Sequence, residues 1–303
     1  MIYTVTLNPS IDYIVRLDKV NVGSVNRMES DDKFAGGKGI NVSRVLKRLG
    51  IDNTATGFIG GFTGKCITDT LENEAIATKF VQVSEDTRIN VKIKADAETE
   101  INGTGPTVTS EQLAELKEIL SGLSEKDTVV FAGSSNKNLG NVVYKELINL
   151  TRQTGAQVVC DFEGQTLIDS LEFQPLLVKP NNHELGDIFG VKLEKLDEIE
   201  KYAREILAKG AQHVIISMAG DGALLVTKDG AYFAKPIKGI VKNSVGAGDS
   251  MVAGFTGEFV RSGNAVEAFK WGVACGTATT FSDDLATAAF INETYEKVEV
   301  EKI

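Results

Sequence analysis

From about residue 108 onward the chain alternates short apolar runs with amphipathic stretches, and this rhythm narrows the fold more than any other feature. Ser110–Leu120 carries Leu113, Leu116 and Leu120 on one helical face, and the apolar run Thr128–Ala132 follows. A second predicted helix, Asn141–Thr154, ends at Gly155 before the run Gln157–Asp161. Leu176–Lys179, a helix over Glu198–Ala208, and His213–Ser217 continue the alternation. Short strands without a polar face need cover on both sides, and an intervening helix supplies it; the pattern therefore predicts an α/β fold with a parallel sheet. Gly222–Val226 and Ala231–Lys235, joined through Lys228-Asp229-Gly230, predict a hairpin at the sheet edge, with helices over Ala247–Arg261 and Ala265–Thr280 after it.

The N-terminal part reads differently. Ile2–Leu7 predicts a buried strand ending at Asn8-Pro9. Tyr13–Leu17 and Ile89–Lys94 alternate or are β-branched with no helical pattern beside them, which predicts a small separate sheet. Between them Val42, Val45, Leu46 and Leu49 stand at i, i+3, i+4 and i+7, an amphipathic helix stopping at Gly50. The expectation is one domain over residues 1–303, with a β lid formed by about 13–33 and 88–105. A net charge of −10 argues against nucleic acid or an anionic membrane as partner. Cys66, Cys160 and Cys275 show no metal or redox spacing and read as free thiols. No apolar run approaches the ~20 residues of a membrane span, and the first residues lack the features of a signal peptide. A cytoplasmic protein is expected.

Two segments carry chemistry. In Asn243-Ser244-Val245-Gly246-Ala247-Gly248-Asp249-Ser250, small residues precede an apolar helical stretch. Backbone N–H groups can there approach an anion, with the helix dipole adding positive potential. Asp249 falls in the first turn, placed to accept a proton beside a bound phosphate; a helix-capping acid is the alternative. Ala35-Gly36-Gly37-Lys38-Gly39-Ile40-Asn41-Val42 builds a second such helix start, or a glycine-rich loop with a solvated lysine. Gly60-Gly61-Phe62-Thr63-Gly64-Lys65-Cys66 only superficially matches a P-loop, because glycine is absent at Ile59 and a hydroxyl at Cys66. The Gly246-Ala247-Gly248 run lacks the third glycine of a dinucleotide fingerprint, so no nicotinamide cofactor is expected.

Together, Gly36–Val42 and Val245–Ser250 resemble the two signatures of the ribokinase-like (phosphofructokinase B) carbohydrate kinases, in order and in separation, over essentially the whole chain. The resemblance implies a three-layer parallel-sheet sandwich with a small β-sheet lid, ATP and magnesium, and a homodimer through the lid. Thr4–Asp12 and Thr87–Lys92 are similar to the branch that acts on sugar phosphates, and Arg88-Ile89-Asn90-Val91-Lys92 is closer to members using fructose 1-phosphate than tagatose 6-phosphate. By that resemblance Asp249 is the catalytic base, and Gly246, Ala247 and Gly248 stabilise the moving phosphoryl group. Asp12, Gly36, Gly37, Lys38, Asn41, Arg88 and Asn90, with Arg27, bind the sugar phosphate. Lys179, Asn181, Ser217, Gly220, Gly222, Val245, Ala247 and Gly248 bind the nucleotide, and Asn181 and Glu184 hold magnesium through water. Glu184 as a plain helix N-terminal acid, Arg88 as an exposed strand residue and Arg27 as a surface residue are the bland alternatives. His183 and His213 read as structural or surface groups, and Lys137 has no role. The family's Gly-Ser-Leu-Pro is here Gly133-Ser134-Ser135-Asn136-Lys137, which puts sugar contacts from that loop in question. A sugar-phosphate-binding regulator without catalysis is the alternative of another class; an intact Asp249 speaks against it.

Overall fold

The computed structural model describes all 303 residues. Its strands are β1 (Ile2–Thr6), β2 (Ser10–Arg16), β3 (Ser30–Gly36), β4 (Asn53–Gly60), β5 (Ala77–Val83), β6 (Arg88–Lys94) and β7 (Glu98–Asn102). The second half adds β8 (Thr128–Ala132), β9 (Gln157–Asp161), β10 (Leu177–Val178), β11 (His213–Ser217), β12 (Ala223–Thr227), β13 (Gly230–Ala234) and β14 (Val300–Lys302). Ten of them form one sheet in the order β14-β13-β12-β11-β10-β9-β8-β1-β4-β5, parallel from β5 to β11 and antiparallel beyond. Helices cover both faces. Leu116, Leu147, Leu167 and Ile206 pack one side, and Val45, Val252, Phe255 and Phe269 pack the other, all fully buried.

Strand order reverses at β1, which has β4 on one side and β8 on the other. Loops leaving the carboxyl ends of strands at such a point diverge and open a crevice, the usual ligand position in parallel sheets. The second sheet stands over that crevice. Its order is β3-β2-β6-β7, with β2 and β6 parallel and the outer pairs antiparallel. β2 leaves β1 through Leu7-Asn8-Pro9, and β3 runs straight into Gly37 and the helix Lys38–Arg48. Gly37 has φ 117°, and a β-carbon there would lie 2.8 Å from Thr6 Cγ2 and 3.2 Å from Pro9 Cα. Only glycine lets the two crossings between the sheets pass so closely.

Several expectations need correction. β4, β5 and the helix Gly61–Asn73 between them have no counterpart in the sequence reading. β4 is buried at all eight positions yet contains Asn53, Thr54, Thr56 and two glycines, so its apolar signal is diluted. β3 and β7 were also missed. β3 is charged because it is half exposed, with Arg16 paired to Asp32 across the strands at 2.5 Å, and β7 is exposed throughout. The small sheet therefore begins at Ser10, not residue 13. The predicted hairpin is β12–β13, but β14 pairs beyond it and takes the edge. No helix is long and apolar enough to cross a membrane.

Candidate active site

A cleft of about 1380 Å³ lies between the carboxyl edge of the large sheet and the small sheet. Both glycine-bearing helix starts open into it. Asn41, one turn into the helix Lys38–Arg48, donates from Nδ2 to Asp249 Oδ2 at 2.8 Å across 208 residues of sequence. The two helices pack side by side, and Arg44, buried in the first, pairs with Glu74 at 2.9 Å and Asp284 at 3.0 Å. Leu285, next in sequence, lies under Gly246; a β-carbon on that glycine would stand 2.8 Å from Leu285 Cδ2, and its φ of 79° is left-handed.

Asp249 is 7% exposed. It does not cap its own helix, whose N-cap is Gly246 with no side-chain hydrogen bond. Burial, reinforced by the Asp161 carboxylate, pushes its acid up to about 6, while Asn41, Lys38 and Lys179 pull the other way. Such a carboxyl is half-ionised just below neutrality, the range suited to taking a proton at physiological pH. Lys38 Nζ reaches Glu163 at 3.2 Å and Asp161 at 3.8 Å, and Asp161 foremost, then Asp249 and Glu163, hold its ammonium well above the usual lysine range. Lys179 is buried at the end of β10; its Nζ lies 3.4 Å from Asp161 Oδ1 and 3.0 Å from where a β-carbon on Gly248 would be. A cation is thereby set against the amides that start the helix Ala247–Ser262.

The small sheet supplies the roof. Register pairs Ser10 with Arg88 and Asp12 with Asn90. Asp12 Oδ1 accepts from Ser10 Oγ at 2.8 Å and Asn90 Nδ2 at 3.0 Å, with Lys92 Nζ 3.8 Å from Oδ2. Gly36 does not line the cleft but backs it, because a β-carbon there would meet Asp12 Cγ at 2.6 Å. Arg88 donates to the carbonyls of Asn8 at 3.2 Å and Gly103 at 3.1 Å, which aims the remainder of its guanidinium into the cleft. Burial lowers its pKa from the ordinary arginine value, yet it stays charged. Arg27 is not brought to the site: it is exposed in the irregular connection from β2 to β3 and does not line the cleft.

At the other end Ser217 closes β11, bridged to Asn181, and the turn Ala219–Asp221 leads to Gly222. Gly222 has φ 97° and packs on Ala234 O, where a β-carbon would lie at 2.3 Å. Ser217, Gly220, Gly222 and Val245–Gly248 all line the cleft. Asn181 and Glu184 cap their helix reciprocally: Asn181 Oδ1 accepts from Glu184 N, and Glu184 Oε2 accepts from Asn181 N, both at 2.8 Å. Burial raises the Glu184 acid. Its second oxygen has no partner, and no group of three His, Cys, Asp or Glu side chains converges to hold a metal directly. One free carboxylate oxygen suits a hydrated divalent ion held through water, as magnesium prefers.

Sequence reasoning missed Asp161, Glu163 and the slot beyond Val245. In that slot Phe281 packs on the backbone of Gly239, 2.4 Å from where a β-carbon would be, and Val273, Gly276 and Thr277 also line the cleft. None belongs to a motif. His213 is structural, with Nδ1 2.8 Å from Leu176 O and its ring against Phe255 and Phe259, whereas His183 is exposed at the cleft. Lys137 is exposed outside it, and of its loop Gly133 and Ser134 reach the lining. The Gly60–Cys66 helix start lies outside the cleft, and Asp86 packs against Gly61, 1.5 Å from where a β-carbon would sit.

Comparison with known proteins identifies the family. The chain is 47% identical over 303 residues, 100% of both chains, to a 1-phosphofructokinase of Bacillus subtilis (strain 168). It is 35% identical to a D-tagatose-1-phosphate kinase of Bacillus licheniformis, covering 99% of each. Phosphofructokinase-2 from Escherichia coli, solved in complex with substrates and products, superposes with a TM-score of 0.93 at 27% identity over 98% of both chains. The model of the pfkB family carbohydrate kinases matches residues 5–289, and the chain belongs to that family.

Proposed function

We propose that this kinase transfers the γ-phosphoryl group of ATP to the 6-hydroxyl of fructose 1-phosphate, giving fructose 1,6-bisphosphate and ADP. The observation that carries the reading is the Asn41–Asp249 hydrogen bond, which joins an acceptor-side and a donor-side anion site in one cleft. The choice of sugar rests on the name of the Bacillus subtilis relative and on Arg88-Ile89-Asn90-Val91-Lys92.

The sugar lies under the small sheet, its hydroxyls on Asp12 and its phosphate against Lys38 and Arg88; arginine offers a two-pronged contact and lysine a point charge. Asn90 acts through Asp12, which it orients. ATP lies along the Ser217–Gly222 edge, with its base in the slot walled by Phe281 and Val273. Asp249 takes the proton as the sugar oxygen bonds to the γ-phosphorus; the bond to the β–γ bridging oxygen breaks and ADP carries that electron pair away. The Gly246–Asp249 amides and Lys179 face the charge that develops on the transferred group. Magnesium, when bound, neutralises phosphate charge, and Asn181 and Glu184 would hold it through water. The small sheet acts as a lid that limits transfer to water.

The test is ADP release measured with fructose 1-phosphate, tagatose 1-phosphate, tagatose 6-phosphate and fructose 6-phosphate. The highest kcat/KM is expected for fructose 1-phosphate. A clear preference for another sugar phosphate overturns the substrate, and sugar-phosphate binding without turnover on any of them overturns catalysis.

A further inference from the structure

Asp161 ends β9 beneath the cleft with 3% of its surface exposed. Its Oδ1 lies 3.4 Å from Lys179 Nζ and its Oδ2 3.8 Å from Lys38 Nζ, and that second oxygen has no hydrogen-bond partner. A buried carboxylate with an unmet oxygen is costly unless the surrounding charges need it. Two lysines from different elements need it here. Lys179 leaves the end of β10 toward the Gly248 amide, and Lys38 begins the helix beside the sugar end of the cleft. Without Asp161 the two ammoniums would face each other across the β9 strand end with only Glu163, exposed at the rim, and Asp249 for company.

We propose that Asp161 is a positioning residue for phosphoryl transfer: it anchors Lys38 toward the sugar phosphate and Lys179 toward the transferred group, and sets the charge surrounding Asp249. Salt-bridge distances longer than a direct hydrogen bond leave both ammoniums able to turn toward phosphate oxygens, so the anchor holds their stems without consuming their donors. This inference rests on the proposed kinase reading for its kinetic arm alone. The groups facing Asp249 are Asn41, Lys38, Lys179 and Asp161, with Glu163 and Glu184 behind the lysines. Asp161 alone of the charged groups that act on Asp249 most strongly raises its acid. Neutralising it therefore lowers the Asp249 midpoint and extends ionisation to more acidic pH.

The decisive variant is Asp161→Asn, read in two ways. In the unliganded protein, the carboxyl 13C shift of Asp249 followed against pH should move its midpoint downward from about 6. In kinetics, kcat should fall about tenfold or more, the scale of a misplaced phosphate cation, and KM for the sugar phosphate should rise as well, because Lys38, which Asp161 anchors, grips that phosphate. The acid limb of kcat/KM should move in the same direction; substrate phosphates ionise in this range too, so the readout is the difference from wild type. An unmoved Asp249 midpoint overturns the proposal, as does wild-type kcat. Should wild type show no turnover on any sugar phosphate, the kinase reading fails while the 13C titration still decides the role of Asp161. Should Asp161→Asn not fold, Asp161→Glu carries the test: it keeps the charge but shifts it by one methylene, so the midpoint should stay and kcat should drop. Wild-type kcat in Asp161→Glu overturns the proposal.

Discussion

Asp249→Asn is expected to lower kcat by at least about 10²-fold, the usual scale for a lost general base, with KM for ATP nearly unchanged. The amide keeps an oxygen for Asn41, so the hydrogen bond at 2.8 Å that joins the two helix starts can persist. Stability separates this loss from misfolding. The Asp249 acid stands at about 6 in the folded chain against 3.8 for the ordinary group, so the native state binds its proton more tightly. The stability contributed by the protonated form is full below about 4 and is lost as pH rises to about 6. At pH 7 the wild-type carboxylate is thus destabilising, and the asparagine variant should melt at the same temperature or higher. Wild-type turnover, or a lower melting temperature at pH 7, would contradict the assignment.

Lys38→Met is expected to reduce kcat/KM for the sugar phosphate by about 10²-fold, the upper range for one hydrogen bond to a charged group. Methionine keeps much of the aliphatic stem, so packing is preserved while the charge goes. The effect exceeds that of a surface cation because Lys38 is the counter-ion to Asp161 and Glu163, at 3.8 and 3.2 Å. Once it is removed, two carboxylates face an incoming phosphate. Steady-state kinetics at two ionic strengths checks this: the deficit should shrink at high salt as the unmasked repulsion is screened. A change below about threefold would show that the phosphate is held elsewhere.

Much of this architecture is legible in the chain because its elements announce themselves through period and punctuation. The helix Ala265–Thr280 is read to the residue, and β8, β9 and β11 stand out as apolar runs between amphipathic helices. Where burial does not require apolar side chains, the signal fails. β4 hides Thr56 by donating its hydroxyl to Lys79 O at 2.6 Å, so a buried strand carries polar letters. β14 is three residues long and mostly exposed.

The site divides in the same way. Gly36-Gly37-Lys38 and Gly246-Ala247-Gly248 are recognisable because close backbone approach and left-handed φ demand glycine, leaving a local signature. Asp161 leaves none: a single acid at a strand end acquires its neighbours only when β9, β10 and the Lys38 helix are assembled. Val273 lies within the helix Ala265–Thr280 and Phe281 caps its end, and neither carries a motif. Arg27 illustrates the converse, a cation expected at the site that an exposed loop does not bring to the cleft.

Both phosphate sites are expected to converge on Asp249. A crystal structure with fructose 1-phosphate and a non-hydrolysable ATP analogue tests it most directly. The 6-hydroxyl oxygen should lie about 2.6–3.2 Å from the Asp249 carboxyl, with the γ-phosphate on the Gly246–Gly248 amides in line with it. A sugar phosphate bound with no hydroxyl within hydrogen-bond reach of Asp249, or a nucleotide whose γ-phosphate points away from that helix start, would contradict it.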